Sequence, residues 1–366
     1  MTKMKVAILG SGAAGCTMAA DLKSKGHEIR LFDLPKYSES LNSIRERGGI
    51  HLTGELKGNH MPDLLTTDIR EATDQADVTM LVVPGFAHEA FMDACLPGLP
   101  KNQIMLNWTS YWSSLRFYPL TRRIARSDIV LAEASILPYM TEKTPEGNIL
   151  VRAVKEQLWI AALPTKHTPT VLNVITDLYP QAIGVENVLW TSLNNINVPF
   201  HAVTAMMNAA LWEHTTGDFD FFGYGISPTV GRVAEAVDDE RINVGKSLGT
   251  ATLRLPELLK KVYSKYGASG DTSYETLHNL KSHATWRPRV SLANYGDVRE
   301  DVPFGLVPLA SFGDQFRVPT PMIDSIIHLA SVAVQKNFLE LGADVRKLGV
   351  KGMSKSRIIR YVTHGR

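Results

Sequence analysis

Val6-Ala7-Ile8-Leu9-Gly10-Ser11-Gly12-Ala13-Ala14-Gly15 is the stretch that decides how the first half of this chain folds. The apolar run reads as a buried strand, and Cys16 to Lys25 reads as the helix that follows it. Glycines between them permit a tight turn and leave backbone N–H groups bare for a pyrophosphate. The N-terminus of the helix adds a partial positive charge aimed at the same anion. His27 to Phe32 makes a second strand with Asp33 at its C-terminal end. A carboxylate there can accept hydrogen bonds from ribose hydroxyls and repels a 2′-phosphate. A lone GxGxxG is common, whereas strand, turn, helix, strand and terminal acid in register are specific. Asp33 is followed by Leu34, Pro35, Lys36 and Tyr37 with no arginine among them, so NAD is the expected cofactor, with NADP left open by Lys36.

The same alternation continues downstream. Asp77 to Pro84, Gln103 to Trp108 and Asp128 to Ala132 read as strands, with a helix near His88 to Ala94. This pattern predicts an α/β Rossmann-type, doubly wound parallel sheet with helices on both faces. Ligands on such sheets sit beyond the C-terminal strand ends, here Gly10, Asp33, Pro84 and the turn Asn107-Trp108-Thr109. The expected cofactor-binding residues are therefore Gly10, Ser11, Gly12, Ala13, Ala14, Gly15, Asp33 and Pro84. Asn148 to Val154 and Gln157 to Leu163 read as a closing antiparallel pair. From Val188 onward long helical periods dominate, among them Trp190 to Glu213 and Pro321 to Leu341. The chain is thus expected to divide into a dinucleotide-binding domain, 1–187, and an all-α domain, 188–366.

Composition narrows the function classes. The 366 residues are 44% hydrophobic and 21% charged, as in a globular enzyme, and the net charge is only +2. No global field points to nucleic acid or a membrane surface. Two cysteines, Cys16 and Cys95, exclude a disulfide framework and suit reduced thiols. The first strand begins by Lys5, and no apolar stretch approaches the length of a bilayer span, so the expected location is the cytoplasm. Histidine, cysteine and carboxylate spacings show no metal motif.

A second constellation lies beyond Val188. On a continuous helix from Trp190, the residues Asn194, Asn197, His201 and Asn208 fall within about 60° of one another, with Pro199 kinking the helix beside His201. A ligand-facing stripe and a set of satisfied interior polar groups both fit this pattern. Arg299 to Pro308 reads as a rigid turn in which Asp301 could orient an imidazole, or merely cap a helix. His88 reads as a helix-start residue, and Asp238 to Arg241 as solvated or paired on a helix surface.

The chain resembles the opine dehydrogenases, the octopine and nopaline dehydrogenase family. The resemblance runs from Gly10-Ser11-Gly12-Ala13-Ala14-Gly15 through Asn194-Asn195-Ile196-Asn197 and His201 to Gly225-Ile226-Ser227-Pro228 and Asp239-Glu240-Arg241. It is strongest over Glu300 to Pro308 and Val318 to Asp324, and extends to Leu348-Gly349-Val350-Lys351-Gly352-Met353. It implies that His201 is the catalytic acid/base and Asp301 its partner. It also implies a reductive condensation of an amino acid with a 2-oxo acid such as pyruvate, giving an N-(carboxyalkyl) amino acid at the expense of NAD(P)H. Asn194, Asn197 and Arg299 are the expected substrate contacts, and a homodimer is compatible with the resemblance.

Two departures from the family pattern stand out. Gly296 occupies the place of a family arginine five residues before the aspartate, which leaves Arg299, Arg287 or Arg289 to hold a carboxylate. The usually small turn after the Gln103 strand contains Trp108, Tyr111 and Trp112, which would reshape the substrate pocket. A ketopantoate-reductase-like hydroxyacid dehydrogenase and a non-catalytic NAD-binding sensor remain the alternative readings.

Overall fold

The computed structural model describes residues 3–366, which separate into two compact units. The first runs through Val188 and includes Thr363–Gly365; the second is Leu189–Val362 with Arg366.

The first unit is built on strand β1 (Lys5–Leu9), which pairs in parallel with β2 (Glu28–Phe32) on one side. On its other side β1 pairs in parallel with β6 (Val78–Leu81). Val6, Ala7, Ile8 and Leu9 are fully buried, because both faces of a parallel sheet are covered. Three short strands intervene, β3 (Ile50–Gly54), β4 (Gly58–His60) and β5 (Leu64–Thr66). After β6 come β7 (Ile104–Asn107), β8 (Val130–Ala134), β9 (Tyr139–Lys143), β10 (Ile149–Val154), β11 (Leu158–Leu163) and β12 (Ala182–Gly184). The large sheet has eight strands in the order β12-β11-β8-β7-β6-β1-β2-β5. Every pairing in it is parallel except β8 with β11. The order turns back at β1, and the glycine turn leaves the C-terminal end of that strand, where such sheets bind ligands.

The expected antiparallel pair at 148–163 does not form. β10 joins a second sheet of four strands, β4-β3-β10-β9, while β11 enters the large sheet beside β8. Burial explains the split. Along β10 buried and half-buried residues alternate, whereas all six residues of β11 are buried. A one-faced and a two-faced strand need different sheets. The small sheet packs on helix α1 (Ala13–Ser24), where the Tyr139 hydroxyl donates to Asp21.

The second unit is helical, but its first long period is broken. The chain forms α2 (Val188–Leu193), leaves the helix over 194–200, and resumes as α3 (His201–Met207) and α4 (Ala209–Thr215). Pro199 cannot donate a backbone hydrogen bond, and the Asn195 side chain accepts the Asn197 N–H at 3.0 Å, a local turn that competes with the helix. The expected stripe on one continuous helix is therefore not the geometry adopted.

The segment expected as a rigid turn also differs. It is helical throughout: α5 (Gly296–Asp301), a π-helical turn over Val302–Leu306, and then α6 (Val307–Phe316). The wide turn, closed by the Val307 N–H on the Val302 carbonyl, accommodates Pro303 and Pro308.

Asp238 and Arg241 are not on the surface. Both are 1% exposed on the helix Pro228–Leu248, and the Arg241 Nε lies 3.0 Å from Asp238 Oδ1. Arg241 also donates to the carbonyls of Leu193 and Leu253, and Asp238 Oδ2 accepts the Leu255 N–H at 3.0 Å. A buried pair is tolerable only when its remaining hydrogen-bonding capacity is used in this way. Glu240 accepts the N–H groups of Met322 and Ile323, each at 2.8 Å, at the start of the helix Pro321–Ala333.

Candidate functional site

In the first unit the glycine turn is a close-packed backbone feature. Gly10 has φ +113°, and a Cβ on Gly15 would lie 1.9 Å from the Gly10 carbonyl oxygen. A Cβ on Gly12, by contrast, would meet nothing within 4 Å, so open space lies above the start of α1. Asp33 is buried and committed. Its Oδ2 accepts the Ser11 N–H at 2.8 Å and the Ser11 hydroxyl at 2.5 Å, and its Oδ1 accepts the Leu34 N–H at 2.8 Å. The carboxylate thus clamps the turn to the end of β2, leaving about one of its roughly four acceptor positions. Gly10, Ser11, Gly12, Asp33 and Pro84 line one groove. Ala13 and Ala14 are the first two residues of α1, half-buried beside it.

Lys143 was not singled out in the sequence. It is the last residue of β9, lines the same groove, and also lines an adjoining alcove with Arg47 and His51. Its ammonium makes no hydrogen bond or ion pair among the described residues. No short motif marks it, because it reaches the glycine turn from the small sheet.

Other expectations for this unit change. Trp108, Tyr111 and Trp112 are all at most 2% exposed, so these aromatics form core instead of reshaping a pocket. Positive φ at Tyr111 and Trp112, 40° and 58°, turns the chain sharply at this point. Trp108 packs edge-on against Tyr179 at 5.0 Å. His88 is the first residue of the helix His88–Cys95, as expected, and is fully buried. Burial, reinforced by the charge of Arg116, holds its imidazole well below the usual pKa and hence neutral. Burial pushes the thiols of Cys16 and Cys95 up to about 12, so both stay protonated.

In the second unit His201 opens α3, directly after the broken segment. Its Nδ1 lies 2.9 Å from Asp301 Oδ2 and 3.2 Å from Asp297 Oδ2. The two carboxylates come from α5, one turn apart and about 40° from each other around the helix. With carboxylate acceptors facing Nδ1, that nitrogen is the one suited to carry the ring proton. Asp301 is 0% exposed, Asp297 29% and His201 13% at their side chains. The Tyr295 hydroxyl donates to Asp297 Oδ2 at 2.5 Å, and burial together with Asp297 pushes its pKa well above the usual value, so it remains a donor. Phe200 packs edge-on against the imidazole at 4.3 Å.

The His201–Asp301 pair expected from the sequence is thus assembled, and Asp297 is the member that was missed. Its signal was the four-residue spacing to Asp301, which has meaning only once the segment is known to be helical. His201, Asp297 and Asp301 together place one nitrogen and two carboxylate oxygens within 4.8 Å of one another. A divalent cation could use such a donor set, although no metal motif is evident in the sequence. The 2.9 Å separation is that of a charge-assisted hydrogen bond.

The expected substrate contacts fare unequally. Asn194 is fully buried; its amide donates to the Trp190 and Ala251 carbonyls at 2.9 and 3.1 Å, and its oxygen accepts the Leu253 N–H at 2.8 Å. It ties the backbone at Trp190, Ala251 and Leu253 together. Asn197 is half-buried, and its side-chain amide makes no hydrogen bond among the described residues. Arg299 lies about 200° around α5 from Asp301, off the face that meets His201, because the segment is helical and not extended. Arg287 and Arg289 both pair with Asp218, at 3.2 and 3.3 Å. Among the described residues no helix is long and apolar enough to cross a membrane.

Two stretches of the chain match different known families. Residues 184–334 match the family described as NAD/NADP octopine/nopaline dehydrogenase, alpha-helical domain. Residues 5–110 match the NAD-dependent glycerol-3-phosphate dehydrogenase N-terminus. Octopine dehydrogenase, solved in complex with NADH and agmatine, shares the fold with a TM-score of 0.75 at 16% identity, over 100% of this chain and 98% of that one. Protein ocs of Agrobacterium tumefaciens (strain Ach5) is 22% identical over 358 residues, 97% of this chain and 98% of its own. An opine dehydrogenase of Arthrobacter sp. (strain 1C) is 33% identical over 354 residues, 96% of this chain and 97% of the relative. With that identity sustained over almost its whole length, this chain belongs to the opine dehydrogenase family.

Proposed function

We propose that this chain is an NAD(P)-dependent oxidoreductase acting on CH–NH groups, which condenses an amino acid with a 2-oxo acid such as pyruvate and reduces the product to an N-(carboxyalkyl) amino acid. The observation that carries the reading is His201, with Nδ1 held 2.9 Å from the buried Asp301 and 3.2 Å from Asp297. Joining an amine to a carbonyl carbon requires removing a proton from nitrogen and delivering one to the departing oxygen. An imidazole can do both near neutral pH, and Asp301 stabilises it when charged.

The turn Gly10–Gly15, with Asp33 behind it, is suited to the dinucleotide. The open space above Gly12 and the backbone contact at Gly15 are what a pyrophosphate cradle needs. NAD is the favoured form and NADP is also accommodated in this reading. When bound, the nicotinamide supplies the hydride. The first domain, 1–187, serves the cofactor, and the second, 188–366, serves the substrates. Asn197 is retained as a substrate contact, whereas Asn194 and Arg299 are not. Two reduced, buried thiols suit a cytoplasmic enzyme.

The test follows NADH and NADPH oxidation with pyruvate and a panel of L-amino acids, omitting each component in turn. Oxidation that requires all three supports the proposal. Oxidation with the oxo acid alone would indicate a hydroxyacid dehydrogenase instead.

A further inference from the structure

Resting on the proposed function, we infer that Asp297 receives the ammonium group of the amine substrate. The acid/base site of this chain would then select a cation and leave both substrate carboxylates to be held elsewhere. The argument begins with charge. His201, Asp297 and Asp301 set two carboxyl groups against one imidazole, so acidic groups outnumber basic ones in the cluster. A third anion brought against it is repelled, and an ammonium is attracted. At the neighbouring position Gly296 contributes no charge, and a Cβ there would meet nothing within 4 Å.

The two carboxylates are not equivalent. Asp301 is fully buried against His201, whereas the Asp297 side chain keeps 29% of its surface exposed. Oδ2 of Asp297 is occupied by the Tyr295 hydroxyl at 2.5 Å and the His201 Nδ1 at 3.2 Å. Oδ1 makes no hydrogen bond among the described residues. One oxygen is therefore anchored by a phenol that stays protonated, and the other is an acceptor held in a fixed orientation. Such preorganisation removes the entropic cost of ordering the acceptor when a donor arrives.

The chemistry calls for a cation at this point. An amino acid presents its nitrogen mainly as R–NH₃⁺ near neutral pH and must lose one proton before it can add to a carbonyl. An ammonium docked on Asp297 is held beside the imidazole that accepts that proton. One N–H bond of the ammonium breaks and one N–H bond forms on the imidazole, which then carries both ring protons. The positive charge passes from the amine to the His201 ring, where Asp301 and Asp297 stabilise it.

The experiment compares wild type with Asp297→Asn and Asp297→Glu, each checked by thermal melting. L-arginine, L-methionine, L-alanine and L-lysine serve as amine donors, with pyruvate and NADH. The Asn variant should raise the KM of the best amine donor about 10- to 100-fold, the scale of one charge-assisted hydrogen bond. The KM of pyruvate should stay within twofold, and the Glu variant should recover part of the loss. An unchanged amine KM, an equal rise for pyruvate, or equal losses in the Asn and Glu variants would overturn the proposal. Calorimetric titration of the same amino acids into the NADH-loaded enzyme reads the contact without turnover. If the wild type turns over none of the pairs, the proposed function falls. Asp297 is then judged by titration alone: binding weakened tenfold in the Asn variant supports its role, and binding retained there, or absent from the wild type, overturns it.

Discussion

The glycine turn of the first unit and the His201 cluster of the second are assembled by opposite means. At the turn, Gly10, Gly15 and Asp33 lie within one βαβ segment, and what matters is backbone: a positive φ, a close approach and a strand end. At the cluster, His201 and Asp301 are 100 residues apart, and what matters is where two short helices cross. A site made of backbone leaves a local pattern in the residue types, because only glycine tolerates those positions. A site made of converging side chains leaves none, since the spacing between its members carries no geometric information. The contrast implies different sensitivities: the first site should fail through small changes of shape, the second through loss of single functional groups.

Removing the His201 imidazole probes that contrast hardest. His201→Ala should lower kcat by roughly 10² to 10⁴-fold, the span for a positioned acid/base group. Its affinity for NADH, followed by fluorescence titration, should stay near wild type, since the glycine turn belongs to the other unit. A residual kcat within threefold of wild type would reduce His201 to a packing residue.

Gly15→Ala asks whether shape alone governs the first site. The new methyl group would lie 1.9 Å from the Gly10 carbonyl oxygen, so the backbone must move. NADH affinity should fall at least about tenfold, a shift of roughly 1.4 kcal/mol, without any polar group having been lost. Retained affinity would break the comparison.

Asn194→Ala separates structure from recognition within the second unit. It leaves the half-buried Leu253 N–H and two carbonyls without their partner, at a cost of about 1–3 kcal/mol on chemical denaturation. The folded fraction should keep its KM for both substrates. A raised KM with unchanged stability would restore Asn194 as a substrate contact.

Lys143→Ala tests a contributor that reaches the groove at the glycine turn from the second sheet. Its exposed ammonium should be worth only a few-fold in NADH affinity, and that difference should shrink in high salt. A smaller effect still is expected for Arg299→Ala, within twofold in every kinetic constant, because Arg299 lies off the face that meets His201.

Asn194 and Arg299 sit differently from the sequence-based expectation, and for the same reason. Each expectation takes one backbone conformation for a segment that adopts another. The wheel that grouped Asn194 with His201 required an unbroken helix, and Asn195 with Pro199 breaks it. The projection that joined Arg299 to Asp301 required an extended chain, and α5 is a helix. In the helix it is Asp297, four residues earlier, that shares the face of Asp301. Strand placement failed in a similar way at β10 and β11, neighbours in sequence that belong to different sheets.

By itself, the sequence determined the doubly wound sheet, the glycine turn with Asp33 at a strand end, the helical second half and the pairing of His201 with Asp301 once the family resemblance was included. These rest on local periodicity, on residues uniquely suited to a backbone conformation, or on a long match to known chains. Only the tertiary structure decided that Asp33 is held by Ser11, that Lys143 comes to the glycine turn from a second sheet, and that Asp297 stands beside His201. Aspartates, lysines and asparagines are most often solvated, so their residue type does not reveal when they are not. Their roles depend on desolvation and on neighbours brought in from distant segments, and those energies exist only after the chain has packed.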